Sequence, residues 1–366
     1  MRSKYYAAIM AGGGGTRLWP LSRKKRPKQA LRFFGDRTLF QVSVDRILPI
    51  IEPANIFVLT VQDHAEILSK QEDLLHPNNF IIEPSPRGTA SAIGLAAICL
   101  NHRDPGSVMA CLTADHFMAN EPAFRELLTA AYDAALDDNL VTLGITPGTP
   151  DPTYGYIHKG DAAKKYRGHQ AFTVRAFKEK PDTELARKYQ KSGEYCWNSG
   201  MFVWRTDRIL DEIRRQLPDL FSGLQEIEKA LDTDREREIV ESVWSELNSI
   251  TIDYGVMEGA EGVVVIPADD LGWIDVGDWN RLYDVLEKDE AGNVNEDGAA
   301  LLLDTQGVLI LQEGKRESDR LIAALGIDDL VIVDTEDVLL ICRRDMADQM
   351  KRLVDFMNER DLGSYS

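Results

Sequence analysis

The apolar positions of this chain fall into short blocks whose spacing alternates. Tyr5–Met10, Asn55–Val61, Phe80–Glu83, Val108–Leu112 and Leu140–Ile145 are runs rich in apolar and β-branched residues, and each predicts a buried strand. Between them, Phe40–Leu48, Ser91–His102 and Phe124–Leu136 carry apolar residues at helical spacing. Strands separated by helices imply an α/β protein with a mainly parallel sheet covered on both faces. In such sheets ligands sit beyond the carboxyl ends of the strands. That rule singles out the glycine cluster after the first strand and Asp115 after the fourth.

The pattern changes after Thr146. Thr146–Pro152, rich in Pro, Gly and Thr, is a loop. Strands are expected at Ala171–Phe177, Met201–Trp204 and Gly262–Ile266, with helices at Thr183–Lys191, Ile209–Gln216 and Arg235–Ser245. The polar stretch Glu287–Gly298 marks a domain boundary, giving a first domain over 1–289 and a small β-rich one over 290–366. That tail holds apolar runs at Ala299–Leu303, Val308–Leu311, Leu330–Asp334 and Val338–Cys342, able to stack as a short solenoid, and closes with an amphipathic helix, Met346–Asn358. A tail of this size cannot bury both faces of its strands alone, so it packs on the first domain or a second subunit. Truncation after Asp289 is expected to leave the candidate site residues in place.

Charge sharpens the reading. The 366 residues include 42 basic and 60 acidic ones, a net −18, which argues against a nucleic acid partner. Yet residues 1–35 hold nine basic residues and no acid: Arg2, Lys4, Arg17, Arg23, Lys24, Lys25, Arg26, Lys28 and Arg32. A cationic patch on an anionic protein suits a small, highly charged anion. No apolar run is long enough for a membrane helix. The N-terminal apolar stretch lacks a cleavage region and runs into glycines, so it reads as a strand, not a signal peptide. Cys99, Cys111, Cys196 and Cys342 are too scattered for a disulfide framework or zinc site, which suggests reduced thiols in a cytoplasmic protein.

In AGGGGTRLWP, four glycines let backbone N–H groups approach an anion or a base edge. The segment matches neither the P-loop nor the dinucleotide fingerprint, and Pro20 stops a helix from starting there. Arg17 and Lys28 are suited to neutralising phosphates. In EPSPRGTA, Arg87 can pair with phosphate or stack on a ring, and Gly88–Thr89 begin a helix whose N–H groups favour an acceptor-rich ligand. Trp197, Trp204, Trp273 and Trp279 are candidates for stacking on a ligand, although tryptophans of this kind are as often core. No Ser-His-Asp arrangement is evident.

Taken in order, AGGGGTRLWP with Pro27–Gln29, EPSPRGTA, ADHF at Ala114–Phe117, YGYI at Tyr154–Ile157, FKEKPD at Phe177–Asp182, WNSGMFVW at Trp197–Trp204, IDYGVME at Ile252–Glu258 and WIDVGDW at Trp273–Trp279 resemble the sugar-1-phosphate nucleotidyltransferases. DLVIVDTEDVLLICR at Asp329–Arg343 extends the resemblance into the tail. The Leu-Trp-Pro and Lys-Gln pieces resemble the branch that couples GTP to mannose-1-phosphate.

The resemblance implies a Rossmann-like, GT-A-like fold and an in-line attack of the sugar phosphate on the α-phosphorus of GTP, releasing pyrophosphate. It implies nucleotide contacts at Gly12, Gly13, Gly14, Gly15, Thr16, Arg87, Gly88 and Thr89, and sugar-phosphate contacts at Gly155, Glu179, Lys180 and Asn198. Arg17, Lys28 and Lys180 become the catalytic cations. Asp115 and Asp275 become ligands of Mg²⁺ or Mn²⁺, with Asp278 less suited; His116 suits packing, or support of a ligand, better than ligation. It also implies a homodimer involving the tail. A related transferase with another base or sugar, a non-catalytic regulatory homologue, and a bifunctional isomerase are the alternatives. The last needs a further domain, for which the residues after Asp289 are too few.

Overall fold

The computed structural model describes residues 4–296, 298–313 and 320–365, so Arg2 of the basic segment lies outside the described residues. Nine strands make the central sheet: β1 (Tyr5–Met10), β2 (Ile56–Val61), β3 (Phe80–Glu83), β4 (Val108–Thr113), β5 (Leu140–Ile145), β6 (Tyr156–Tyr166), β7 (His169–Lys178), β8 (Tyr195–Arg205) and β9 (Val263–Ala268). Their order is β3-β2-β1-β4-β8-β5-β9-β7-β6. β1 is parallel to β2 and β4, β2 to β3, and β5 to β9. β8 enters antiparallel between β4 and β5, and the β6–β7 hairpin is antiparallel.

The five strands expected before Thr146 are all present. β1, β2, β4 and β5 are buried on both faces, so Tyr5 to Ile9 show no alternation, whereas the edge strand β3 is mostly half-buried. Helix Thr89–Arg103 is mostly Ala, Ile and Leu, and buries nearly its whole first three turns. Several elements differ from expectation, two of them long. β6 was missed because only its ends are buried and its middle is Lys, Gly, Asp and Ala, which weakens the strand signal. Helix Pro218–Ala230 was missed as well; it packs through Leu220, Leu224 and Ile227.

Packing divides the chain into two compact units, the first Met1–Gly12, Ser43–Ala114 and Met118–Trp273, the second Gly13–Val42, Asp115–Phe117 and Ile274–Ser366. Inside the second unit, Leu18, Trp19, Leu21, Leu31 and Phe33 share one apolar core with Trp279, Leu309, Val331, Leu340, Met350 and Val354. The basic segment is therefore a structural partner of the tail.

The tail strands are β10 (Val294–Glu296), β11 (Ala300–Leu303), β12 (Leu309–Gln312), β13 (Ile322–Leu325), β14 (Leu330–Asp334) and β15 (Leu339–Arg343). β10, β12 and β14 stack in parallel, as do β11 and β13, which makes a short solenoid. β15 closes it antiparallel to β14. The last helix proper is Met350–Asn358, preceded by a 3-10 segment, Arg344–Gln349, where a continuous helix was expected.

Polar contacts add to this core. Trp19 Nε1 donates to the Tyr365 carbonyl at 2.7 Å. Arg23 forks onto Asp337 at 2.7 and 2.5 Å. Arg26 pairs with Glu313. Two of the nine basic residues thus hold the tail rather than await an anion. Truncation after Asp289 would strip the core from under Trp19 and Leu31, on the segment that carries Arg17 and Lys28.

Leu309, fully buried in that core, gives a direct test. Leu309→Ala should cost about 2–5 kcal/mol and lower the denaturation midpoint. An unchanged midpoint would remove the tail as support for residues 13–42.

Candidate active site

Within the second unit the glycine loop leads into a single 3-10 turn, Thr16–Leu18. Leu18 is buried and anchors the turn, while Gly13, Gly14, Thr16 and Arg17 are exposed. Lys28 lies on a second 3-10 turn, Lys28–Ala30, whose residues are all buried. Its ammonium sits 2.9 Å from Asp115 Oδ2 and 3.6 Å from Asp275 Oδ1. Val276 N–H donates to the Asp115 carbonyl, which ties the two aspartate-bearing segments together. The Arg17 guanidinium and Asp275 Oδ2 both come within 3.4 Å of where a Cβ on Gly277 would stand. The sequence-expected Arg17, Lys28, Asp115 and Asp275 therefore converge.

Burial alone would raise the Asp115 pKa, but the charges of Lys28 and His116, with hydrogen bonds from Lys28 and the backbone, together outweigh it and hold the carboxyl well below its ordinary range. Donor atoms of Asp115, His116 and Asp275 lie within 4.8 Å of one another. Two carboxylates fit a hard divalent cation that keeps waters and takes phosphate oxygens. His116, expected to pack or to support a ligand, is buried beside Asp115, with a ring nitrogen within reach of that donor group. Asp278 does not: its Oδ1 accepts from the Asn280 and Arg281 N–H groups and caps helix Trp279–Val285.

The first unit carries the other two groups of candidates. Gly12 follows β1, and a Cβ there would stand 3.8 Å from Glu83 Oε1. Glu83 ends β3, is buried, and has its pKa raised by burial to about 7. The Arg87–Thr89 turn is engaged inside the protein. Arg87 Nη2 donates to the Ser245 carbonyl at 3.3 Å, and Thr89 Oγ1 accepts from the Ile252 N–H at 2.9 Å. Ala90 N–H donates to the Ile250 carbonyl at 3.1 Å. Gly88 has φ +81°, and a Cβ would collide with the Ile250 backbone at 2.3 Å. The helix start expected to offer N–H groups to a ligand thus donates one of them to residue 250.

Gly155, Glu179, Lys180 and Asn198 also come together. Strand β7 ends at Lys178, and Lys180 takes a left-handed φ of 35°. That turn breaks the strand's alternation and lets Lys180 Nζ reach Glu179 Oε1 at 3.4 Å. Asp182 then caps helix Thr183–Ser192 by accepting from the Leu185 N–H. Asn198 N–H donates to the Gly155 carbonyl at 2.8 Å. A Cβ on Gly155 would come within 3.0 Å of Glu179 Oε2, so glycine gives that carboxylate its present close approach.

Of the four tryptophans, Trp204 and Trp279 are completely buried and cannot stack on a ligand. Trp204 lies against Phe202, and Trp279 Nε1 donates to the Trp19 carbonyl. Trp197 and Trp273 pack about Tyr154, with ring centroids 5.0 and 5.2 Å from it.

The family model described as Nucleotidyl transferase matches residues 6–292. The chain belongs to the nucleotidyl transferase family. A second model, the MannoseP isomerase/GMP-like beta-helix domain, matches residues 298–357 of this nucleotidyltransferase. A mannose-1-phosphate guanylyltransferase of Klebsiella pneumoniae is 37% identical over 98% of this chain and 74% of its own length. One of Escherichia coli is 36% identical over the same shares. A solved structure described as mannose-1-phosphate geranyltransferase from Thermus thermophilus superposes with a TM-score of 0.84 at 32% identity, covering 97% of this chain and 99% of that one.

Two acids of this nucleotidyltransferase escaped the reading of the sequence. Glu83 opens the EPSPRGTA motif but reads as the end of a strand, and Asp253 lies in IDYGVME with no partner visible in one dimension. The signal for each was its position inside a motif rather than its residue type.

Glu83 makes a pH prediction. Its folded pKa of about 7 lies above the ordinary 4.5. Stability is therefore fullest below 4.5 and falls by roughly 3 kcal/mol as pH rises to 7 and beyond. Glu83→Gln removes that loss, so it should melt higher than the parent at pH 8 and lose the advantage near pH 4.5. An equal difference at both pH values would contradict a buried, proton-retaining carboxyl.

Proposed function

We propose that this nucleotidyltransferase transfers GMP from GTP to mannose-1-phosphate, forming GDP-mannose and pyrophosphate. The observation that carries the site assignment is the Lys28 ammonium between Asp115 and Asp275, 2.9 and 3.6 Å away, on the unit that also holds Gly13 to Arg17. A sugar phosphate is already an anionic nucleophile near neutral pH, since its second pKa is about 6. No protein base is required, and the obstacle is charge. Lys28 and Arg17 offset charge on the triphosphate, and Lys180 offsets it on the sugar phosphate. Backbone N–H groups from Gly12 to Thr16 orient the phosphates. Asp115 and Asp275 would hold Mg²⁺ or Mn²⁺, which when bound adds positive charge and a template for phosphate oxygens. Glu179 and Asn198 hold sugar hydroxyls beside Gly155. The nucleotide lies along Arg87, Gly88 and Thr89, with Glu83, in its ionised form, as an acceptor for the adjacent ring N–H and amino donors of guanine, which adenine lacks.

Pyrophosphate release from GTP, mannose-1-phosphate and Mg²⁺ tests the reading, with ATP as the control nucleotide. Arg17→Ala and Lys28→Ala should each lower kcat by about 10²–10³, and Glu83→Gln should narrow the preference for GTP. Both cation variants working at the parental rate would reject the phosphate site.

We further propose a homodimer formed through the tail. Leu301, Leu303 and Leu325 are 61, 59 and 68% exposed on the paired strands β11 and β13, with Leu303 directly opposite Leu325. An apolar row of this kind suits a second copy. Light scattering at tens of micromolar should give a dimer, and Leu303→Lys with Leu325→Lys should give monomer; a monomeric parent would end the proposal. All four cysteines are unpaired, and among the described residues no helix is long and apolar enough to cross a membrane. A cytoplasmic location suits the thiols, and recovery in a membrane or extracellular fraction would contradict it.

A further inference from the structure

The sugar-side group contains one acid that the reaction above leaves without a task. Asp253 lies on the short turn Ile252–Gly255 and is half-buried. Its Oδ1 accepts from Asn198 Nδ2 at 2.6 Å. Asn198 has little freedom of its own: its backbone N–H donates to the Gly155 carbonyl, and its Oδ1 accepts from the Gly200 N–H at 3.1 Å. With the amide oxygen facing a donor, the amide NH₂ must face an acceptor, and Asp253 is that acceptor.

The second carboxylate oxygen of Asp253 takes no hydrogen bond from another described residue. Burial raises the Asp253 pKa and the charge of Glu179 adds to the rise, while the Asn198 bond opposes it. Two carboxylates therefore border the Gly155–Asn198 backbone bond, near enough for one to feel the other. Such a pair is stabilised by neutral donors arranged at two neighbouring points. A hexose ring supplies that pattern, because its hydroxyls stand on adjacent carbons.

We propose that Asp253 is a specificity residue for the sugar: Oδ2 accepts from one ring hydroxyl of the hexose 1-phosphate while Oδ1 holds Asn198 in register beside it. The assignment rests on the functional reading above. It explains why Asn198 is fixed at both ends of its amide: a site that reads a hydroxyl must keep its acceptors from swinging. A site built around a buried acceptor rejects substrates that lack the matching donor far more strongly than an apolar pocket rejects a change of size.

The experiment compares the parent with Asp253→Asn and Asp253→Ala on mannose-1-phosphate and on analogues each lacking one ring hydroxyl. Asp253→Asn keeps an acceptor for Asn198, so it separates reading the sugar from bracing the site; thermal melting checks that both variants fold. Both variants should raise KM for mannose-1-phosphate about tenfold or more and change KM for GTP by less than about twofold. For one analogue, parent and Asp253→Asn should become equal, because the hydroxyl that Asp253 reads is already gone. A uniform penalty across the panel, or an equal rise in both KM values, overturns the assignment while leaving the transferase reading intact. A parent enzyme inactive on mannose-1-phosphate overturns both.

Discussion

Asp115 and Asp275 are like charges brought within reach of one another, and that repulsion must be answered before anything else in the second unit can be built. The Lys28 ammonium answers it at 2.9 and 3.6 Å. Removing one member of such a group leaves a charge unpaired in a poorly hydrated place, which costs about 3–5 kcal/mol where burial is complete. The arrangement therefore stabilises itself only as a set. The Lys28 ammonium also keeps the Asp115 carboxyl ionised, so the group holds one fixed cation among its acids.

Placing Lys28 there depends on residues far along the chain. The segment from Gly13 to Val42 contains no long helix and no strand of the main sheet, so its own backbone gives it little order. What fixes it is Leu18, Trp19, Leu21, Leu31 and Phe33 buried against Leu309, Val331, Leu340 and Met350. The tail therefore supports the segment on which Arg17 and Lys28 stand. Roles that a linear reading assigns to separate domains are joined by one apolar core.

This explains what could and could not be read from residues alone. β1, β3, β5 and β14 carry a local signal, a dense apolar run, and their bounds were legible. The convergence of Arg17, Lys28, Asp115 and Asp275 was legible only as a family resemblance, because contacts 87 residues apart along the chain leave no periodic trace. Glu83 and Asp253 were missed for a related reason. Their interest lies in burial and in a neighbour, Gly12 for one and Asn198 for the other, and neither property exists before the fold does. The turn at Lys180 is a third case: alternation sends the Glu179 and Lys180 side chains apart, and a single left-handed residue reverses that.

The basic segment shows the same limit in its charges. Counted along the chain it is a block of nine cations with no acid, which suggests one uniform patch. In the folded protein the block is divided by task. Arg23 and Arg26 are paired with Asp337 and Glu313 of the tail, Lys4 with Asp104, and Lys28 with the two aspartates. Arg17, Lys24 and Lys25 are exposed. On a protein of net charge −18, a cation held close to a defined anion site acts over a few ångströms, whereas exposed charges farther apart than about 10 Å are screened by salt. On the proposed reading, a triphosphate is met by single placed cations, and placement is what the apolar core between the basic segment and the tail provides.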